Sequence, residues 1–310
     1  AEDLRVALSL LQTPVVEPST GSVVIDIPKD KPDTVYWQDV IKDPVFKKNK
    51  SPVAFPVGMG VDGRLILSDF ADPNMCHCLV AGVAGSGKSE FLKSMVATLI
   101  QRNPPDRVCL TIIDPKILTF GGVPDDLAHL TGPVLNEIGD AIPCLQRAVA
   151  DMESRYQALA DTGQENLSER FQSGQKDIPF HVVVFDEFAD LIMAGKQEKK
   201  EFERLVGRLA QMGRAAGIHL TLTTQRPDRT VVTGLIKANL PLKICMRVTN
   251  SSNSSIVLDQ TGGEKLLGRG DLLCDRGRGP QRAQSPYVTQ EKFRDILKNA
   301  PRKNKSGNKG

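Results

Sequence analysis

The sequence lacks several features that would define a protein class by themselves. Its 310 residues include one Trp and three Tyr. They contain no apolar run of about eighteen residues and no signal-peptide pattern, so we expect neither a membrane segment nor export, and a cytoplasmic location. The net charge of +3 is too small to predict nucleic-acid binding, so any basic surface must be local.

The sequence also lacks the paired spacing of a cysteine framework. Its six cysteines form no C-x-x-C pair, and three of them lie in apolar, strand-like segments. This pattern predicts buried thiols rather than disulfides. Cys76, His77 and Cys78 suggest a metal site, but neighbouring residues of a strand point to opposite faces and no second ligand cluster follows. We therefore expect no metal at these three residues.

A glycine-rich loop between an apolar segment and a helical pattern is the most informative stretch. Residues 80–90 follow the order G-x-x-x-x-G-K-S of a phosphate-binding P-loop. Lys88 is expected to reach the β- and γ-phosphates of ATP, and the Ser89 hydroxyl to bind Mg²⁺. The residues expected to bind the nucleotide are Gly82, Val83, Ala84, Gly85, Ser86, Gly87, Lys88, Ser89 and Glu90.

Two carboxylates follow the buried, strand-like segment that begins at His181. A strand of this kind presents Asp186 and Glu187 at its carboxyl end, where ligands of open α/β sheets bind. We predict that Asp186 holds the Mg²⁺ and that Glu187 polarises the water that attacks the γ-phosphate. Gln225 follows another predicted strand, 218–224, and is expected to contact the γ-phosphate or this water.

The remaining pattern predicts an α/β fold with a mostly parallel central sheet. Apolar spacing predicts helices over 89–102, 136–160 and 198–216 and strands over 108–113 and 243–248. Further short elements are predicted, namely helices over 4–11 and 291–298 and a strand over 22–27 that Pro28 stops. Residues 161–177 are predicted to form a loop. We divide the chain into a small N-terminal α/β subdomain (1–50), a nucleotide-binding motor (51–298) and a disordered basic tail (299–310).

Several longer motifs resemble one family, the FtsK/SpoIIIE DNA-translocating ATPases. They include Ile113-Asp-Pro-Lys116, Asp186-Glu-Phe-Ala-Asp-Leu191, Thr224-Gln-Arg-Pro227, Thr233-Gly-Leu-Ile-Lys-Ala-Asn-Leu-Pro241 and Leu266-Leu-Gly-Arg-Gly-Asp-Leu272. The resemblance covers nearly the whole chain. It implies a RecA-like P-loop ATPase that forms a ring, expected to be a hexamer, and threads double-stranded DNA while hydrolysing ATP.

The resemblance also implies roles for basic residues. A translocase should hold the DNA backbone, because phosphate contacts do not depend on sequence. Lys196, Arg226, Arg229 and Lys237 lie in segments similar to the pore loops of the family and are our DNA-binding candidates.

A ring ATPase commonly completes its site with an arginine from the neighbouring subunit. Arg155 occupies a matching position and is the first candidate for this role; Arg214 is the second. The family also has an arginine where this chain has Ser255. The identity of the trans-acting arginine therefore stays open.

Other functions are compatible with the same motifs. A conjugative or secretion coupling ATPase would share the ring and the nucleotide site. An ATPase subunit of a phage-defence or restriction complex would use ATP as a DNA-loading switch and recruit a nuclease. A small-molecule kinase would need an acceptor-binding or lid motif, and none is visible. A membrane-anchoring partner also remains open at this point.

Overall fold

The residues that the computed structural model describes are 2–10, 14–19, 22–27, 29 and 33–303. The chain divides into two compact units, Ala1–Val35 and Tyr36–Gly310. In the first unit, helix α1 (Glu2–Ala7) precedes two antiparallel strands, β1 (Val15–Ser19) and β2 (Ser22–Asp26). The helix and the second strand were expected from the sequence; β1 was not.

The second unit contains nine further strands and ten α-helices among its described residues. The strands are β3 (Ala54–Gly60), β4 (Leu65–Asp69), β5 (Cys78–Ala81), β6 (Val108–Ile113), β7 (Phe180–Phe185), β8 (Ile218–Thr224), β9 (Leu242–Met246), β10 (Asp271–Asp275) and β11 (Pro280–Gln284). The helices are α2 (Trp37–Val40), α3 (Pro44–Lys48), α4 (Lys88–Arg102), α5 (Ile138–Asp161), α6 (Leu167–Gln172), α7 (Ala189–Ala194), α8 (Lys196–Met212), α9 (Gly234–Asn239), α10 (Ser251–Leu258) and α11 (Gln290–Asn299). A 3₁₀ turn spans Gly263–Lys265.

These nine strands form one sheet in the order β4-β3-β11-β10-β9-β5-β8-β7-β6. The strands from β9 to β6 in this order pair in parallel, and those from β4 to β9 pair antiparallel. The predicted α/β fold is confirmed. The antiparallel part is larger than expected, because β10 and β11 form a hairpin that the glycine-punctuated C-terminal segment did not reveal.

Strand β5 lies at the centre of the parallel part and is buried on both faces. Cys78 and Val80 pack into one hydrophobic cluster, and Leu79 and Ala81 pack into the cluster on the other face. This alternation is what a strand dictates, and it explains the uninterrupted apolar sequence. Helices α4 and α11 cover the first face, and α5 and α8 cover the second. The glycine-rich loop therefore begins at the end of a strand that is packed on both faces.

The boundary of the second unit differs from the expected one at residue 50. The units divide after Val35, because the next residues pack on the nucleotide-binding unit. The indole of Trp37 is 1% exposed, and its Nε1 donates a hydrogen bond of 2.8 Å to Thr98 Oγ1 in α4. A buried tryptophan with a satisfied N–H is a strong anchor, so 36–50 belong to the second unit.

Two predicted loop or tail segments are ordered. Helix α6 lies within 161–177, where the polar sequence suggested a loop; the Asn166 side chain caps it, and Arg170 pairs with Asp177 at 2.7 Å. The tail begins later than expected, because two backbone hydrogen bonds hold its first residues. The Ala128 N–H donates to the Pro301 carbonyl, and the Lys303 N–H donates to the Asp126 carbonyl. The predicted ends at Leu11 and Pro28, and the tail beyond residue 303, lie outside the described residues.

The cysteines are unpaired, as the sequence predicts. All six cysteines are free, and five are fully buried; Cys109 is partly exposed. Burial raises the pKa of Cys245 and Cys274 to about 12, so these thiols stay protonated. Within the described ranges, no group of three or more His, Cys, Asp or Glu residues could hold a metal ion. No helix in the same ranges is long and apolar enough to cross a bilayer.

Candidate functional site

The P-loop turns sharply between β5 and α4, and Gly87 is the residue that permits the turn. Its φ is +106°, a conformation that favours glycine. A Cβ at this position would stand 2.3 Å from the Gly270 nitrogen. Gly87 is therefore required both for its backbone angle and for the close approach of a second loop. That second loop is fixed by a 2.7 Å bond from the Gly270 N–H to the Ser86 carbonyl.

The start of α4 presents backbone donors suited to phosphate. The N–H groups of Gly85, Gly87, Lys88 and Ser89 form no hydrogen bond with any part of the chain that the structure describes. Unpaired amides at a helix N-terminus, together with the helix dipole, are the usual site for a phosphate group. The loop therefore fits a nucleotide by its backbone as well as by its sequence.

The side chain of Lys88 is buried and points to Asp186. Its Nζ contacts Asp186 Oδ1 and lies 3.0 Å from Thr223 Oγ1. The Thr223 hydroxyl also donates to Asp186 Oδ1 at 2.8 Å. The three groups can meet because β8, which carries Thr223, lies between β5 and β7 in the sheet. For Lys88 to reach a phosphate, it must exchange this carboxylate partner for the phosphate oxygens.

Asp186 is ionised in this setting. Burial by itself would raise the pKa of its carboxyl, but the Lys88 ammonium and the hydroxyls of Thr119 and Thr223 outweigh it, so the pKa lies below the ordinary value. An ionised carboxylate beside a hydroxyl provides the hard oxygen ligands that Mg²⁺ prefers.

A third hydroxyl connects the two predicted metal ligands. Thr119 Oγ1 lies 2.6 Å from Asp186 Oδ2 and 3.0 Å from Ser89 Oγ. Ser89, Asp186 and Thr119 therefore bring oxygen atoms together at the start of α4. Of these, the Ser89 hydroxyl and the Asp186 carboxylate fit a magnesium ion bound with phosphate, and Thr119 contacts both.

The carboxylate of Glu187 is turned toward the end of β8. Its Oε1 accepts a 2.9 Å bond from the Thr224 hydroxyl, and its Oε2 accepts a 2.9 Å bond from the Gln225 N–H. The φ of Glu187 is +66°, an unusual angle for a residue with a side chain. Backbone strain of this kind concentrates at functional sites.

The basic residues that follow β7 and β8 in sequence lie close together. Lys199 Nζ donates to the Thr230 carbonyl at 2.9 Å, and the Arg226 guanidinium lies against Met193 Sδ. Lys196, Arg226 and Arg229 are exposed. Segments 196–200 and 226–230 thus form one surface, which we call the basic surface.

Lys237 differs from the other predicted DNA-binding residues. Its Nζ pairs with Asp259 at 2.7 Å and bonds the Ser255 carbonyl at 3.2 Å. Together with Arg229 it lines a cavity of about 470 Å³ that also includes Ser255. The charge of Lys237 is therefore partly neutralised within the chain.

Comparison with known proteins decides the family. The sequence profile described as "FtsK/SpoIIIE family" matches residues 37–181 and 172–229. The chain belongs to the FtsK/SpoIIIE family.

Relatives of this family match along almost the whole chain. The DNA translocase FtsK of Campylobacter jejuni subsp. jejuni serotype O:23/36 (strain 81-176) is 40% identical over 308 residues, which cover 96% of this chain and 32% of that protein. The DNA translocase FtsK of Helicobacter pylori (strain J99 / ATCC 700824) is 36% identical over 305 residues, covering 96% of this chain and 35% of that protein. The chain spans about a third of the length of these curated relatives.

Solved structures agree with the fold. The pCW3 conjugation coupling protein TcpA, a monomer form with ATPgS, superposes with a TM-score of 0.74 at 25% identity, covering 96% of this chain and 84% of that chain. The cytoplasmic domain of the Thermomonospora curvata Type VII secretion ATPase EccC gives 0.71 at 22% identity, covering 88% of this chain and 35% of that chain.

In this FtsK/SpoIIIE chain, Arg155 lies apart from the other predicted site residues. Its guanidinium is 6% exposed and donates to the carbonyls of Pro179 and Ala216 at 2.7 and 3.0 Å. It also pairs with Asp151 at 3.0 Å. Pro179 and Ala216 precede β7 and β8, so Arg155 lies at the amino edge of the parallel strands. A trans-acting role would require all these bonds to break.

Sequence reasoning missed three threonines that contact the predicted site residues. Thr223 and Thr224 end β8, but a pattern does not reveal that β8 lies between β5 and β7. Thr119 belongs to an irregular loop after β6 and carries no motif of its own. The only available signal was the Asp114-Pro115-Lys116 motif that starts this loop, which lies within the resemblance.

Proposed function

We propose that this chain is a motor domain that hydrolyses ATP with Mg²⁺ and uses the energy to move along double-stranded DNA. One observation carries the proposal. The carboxylate of Glu187 is bonded to Thr224 and Gln225, and the next residue, Arg226, belongs to the basic surface. Glu187, the residue suited to activating water, is therefore bonded to Gln225, which directly precedes an arginine of the surface suited to holding DNA.

Each group of the site has a role in this proposal. The unpaired P-loop amides and Lys88 bind the phosphates, and Ser89 and Asp186 hold the Mg²⁺, which neutralises phosphate charge when bound. Glu187 accepts a proton from the attacking water. Gln225 lies beside Glu187 and is suited to orient the same water. The TcpA structure, a coupling protein with ATPgS, supports nucleotide binding by this fold.

The bonds of Glu187 suggest how DNA stimulates hydrolysis. While Thr224 and Gln225 hold the carboxylate, both of its oxygens are engaged by the chain. The Thr224 hydroxyl also accepts a 2.9 Å bond from the Arg226 N–H. A DNA phosphate that draws Arg226 outward would loosen this segment and release Glu187. Hydrolysis would then be fast only when DNA is bound.

The DNA would be held by its backbone. Lys196, Arg226 and Arg229 are exposed on two segments that touch, so together they offer several positive charges to phosphates. Lys237 contributes after it leaves Asp259. We propose that the chain works in the cytoplasm as part of a homo-oligomeric ring, expected to be a hexamer. Membership of the FtsK/SpoIIIE family supports the ring.

The experiment that tests the function measures ATP hydrolysis with and without linear duplex DNA at several salt concentrations. We expect several-fold stimulation that falls steeply as salt increases, because phosphate contacts release counterions. Lys88→Ala should abolish the activity. Replacing Arg226 and Arg229 with Ala should reduce the salt dependence by about one unit per lost phosphate contact. Arg204→Ala, an exposed arginine on α8 paired with Glu201, is the matched control.

Each other outcome identifies a different function. Stimulation by single-stranded DNA alone would favour a conjugative coupling ATPase, a function suggested by the likeness to TcpA. DNA binding without stimulation would favour a loading switch in a defence complex. Equal rates with and without any DNA would contradict the motor. A particle mass that stays monomeric with ATP analogue and duplex would contradict the ring.

A further inference from the structure

Thr119 links the two residues that are expected to hold the metal. Its side chain is 5% exposed, and its hydroxyl lies within hydrogen-bond distance of both Asp186 Oδ2 and Ser89 Oγ. A threonine hydroxyl has one proton to donate and can accept another. The carboxylate can only accept, so Thr119 donates to Asp186 Oδ2 at 2.6 Å, while its oxygen also lies 3.0 Å from Ser89 Oγ. It thus fixes the separation of the two ligands.

The position of Thr119 is itself fixed by the protein. The buried carboxylate of Asp114 accepts bonds from the N–H groups of Thr119 and Phe120, at 3.0 and 2.8 Å on the same Oδ2. Phe120 is 1% exposed and packs in the hydrophobic core. The loop after β6 is therefore anchored on both sides of the hydroxyl. An anchored hydroxyl can orient its neighbours, whereas a mobile one would follow them.

A buried threonine elsewhere in the sheet shows the contrast. Thr111 and Thr131 share a hydroxyl contact of 2.6 Å, which joins β6 to the following loop and reaches no carboxylate. The Thr111 hydroxyl also lies 2.8 Å from His181 Nε2, so both of its partners are a hydroxyl or an imidazole. Thr119 instead contacts an ionised carboxylate and the hydroxyl at the start of α4. Thr119 therefore differs from Thr111 in the identity of its partners, which are the two residues predicted to hold the metal.

We propose that Thr119 is a positioning residue for the magnesium site, which orients the Asp186 carboxylate and the Ser89 hydroxyl toward the ion. The inference rests on the proposed function, since it assumes that this site binds Mg²⁺ with nucleotide. Partners that orient metal ligands typically change metal affinity by about 10- to 100-fold when they are removed. This is the effect expected from the loss of the Thr119 hydroxyl.

The test is a Mg²⁺ titration of fluorescent ADP binding to the full chain. Thr119→Val keeps the side-chain shape and removes the hydroxyl, and we expect the Mg²⁺ concentration at half-saturation to rise by about 10- to 100-fold. Thr119→Ser should restore it to within about threefold of wild type, since the donor is kept. ADP affinity in EDTA should be unchanged in both variants. Thr111→Val, which loses the hydroxyl contacts of a buried threonine to Thr131 and His181, is the control.

Each outcome decides the inference. An unchanged Mg²⁺ requirement in Thr119→Val, or an equal loss of ADP affinity in EDTA, would overturn it and leave the proposed function intact. A wild-type protein that binds ADP without any response to Mg²⁺ would overturn both. Circular dichroism shows whether Thr119→Val is folded. If it is not, Thr119→Ala, which adds no apolar bulk beside Asp186, takes its place with the same expected results.

Discussion

The two edges of the parallel strands both contain buried polar residues, yet they use them differently. At the carboxyl edge, Lys88 and Asp186 bond to each other and to hydroxyls. At the amino edge, Arg155 bonds to two backbone carbonyls in addition to its pair with Asp151, and His219 Nδ1 lies 3.0 Å from the Cys76 carbonyl. Side-chain partners can be exchanged for a ligand, whereas backbone partners belong to the fold. Burial of a charge therefore does not identify a functional residue, but its partners do.

This comparison predicts that the largest effect on chemistry comes from the carboxyl edge. Glu187→Gln should lower ATP hydrolysis by about 10²- to 10⁴-fold, because the amide cannot accept the proton of the attacking water. ADP binding and the unfolding midpoint should change little. Steady-state hydrolysis measures the activity, and thermal unfolding measures the stability. Glu291→Gln, at an exposed position in the first turn of α11, is the control. Hydrolysis within threefold of wild type would contradict the role of Glu187.

The amino edge should instead control stability, and in a pH-dependent way. Burial lowers the pKa of His77 to about 4 and of His219 to about 3, from 6.5. The folded state therefore holds these rings neutral while the unfolded state protonates them, so stability is complete above pH 6.5 and is lost as the pH falls. The protons of these two rings contribute about 2.7 kcal/mol per pH unit to the slope between about pH 6 and pH 4, and His129 and His181, whose pKa values burial also lowers, act in the same direction. Urea unfolding at several pH values measures this slope.

A variant isolates the contribution of one ring. His219 stacks between Phe70 and Phe180, with centroid distances of 5.3 and 6.1 Å, and also faces His77, His181 and Arg155. His219→Phe keeps the stack and removes the titrating group. The slope should fall by about 1.4 kcal/mol per pH unit, the contribution of one proton. An unchanged slope would show that other groups, such as the Asp186 carboxylate, dominate the acid sensitivity.

Substitution of Arg155 tests most directly whether the amino edge serves stability and not catalysis. Arg155→Met should reduce the free energy of unfolding by about 2 kcal/mol, because two buried carbonyls lose charged donors. Hydrolysis per folded molecule should stay within about twofold of wild type. Arg204→Met removes an exposed arginine of similar length as the control. A collapse of hydrolysis with unchanged stability would instead support the trans-acting role and make Arg155 an exchangeable group.

The smallest effect concerns the bond that holds Glu187 back. Thr224→Val removes a hydroxyl worth about 1 kcal/mol, so hydrolysis without DNA should rise by about fivefold. The ratio of stimulated to unstimulated rates should fall by the same factor. Thr221→Val, on the same strand with its hydroxyl near Met95 Sδ, is the control. A lower rate without DNA would show that Thr224 helps Glu187 rather than restraining it.

Much of the fold could be read from the sequence because its signals are local. The boundaries of α4, β6 and β8 agree with the predicted segments to within one residue, since apolar spacing and the prolines and glycines at their ends mark them. Helix α6 was missed because its cap and its Arg170–Asp177 pair stabilise a polar sequence. The unit boundary was misplaced because the packing of Trp37 on α4 is a long-range contact.

The site could be predicted in part for the same reason. Gly87, Lys88 and Ser89 are adjacent in sequence, so their roles follow from the order of the residues. Asp186 and Glu187 lie at the end of one apolar strand, and this also is a local signal. Thr119 gives no such signal, because its hydroxyl gains meaning only where the loop after β6 meets α4. The trans-acting role of Arg155 was predicted because its position in the sequence matches the family. A match in sequence does not show which way the side chain points.

The sequence by itself determined that a P-loop precedes a helix and that two acidic residues end a buried strand. Only the tertiary structure placed β8 between β5 and β7, and with it Thr223 on Asp186 and Thr224 on Glu187. The physical reason is that strand order depends on how helices cross between strands and cover both faces. No local pattern encodes that order, whereas glycine angles, capping and apolar spacing are properties of neighbouring residues.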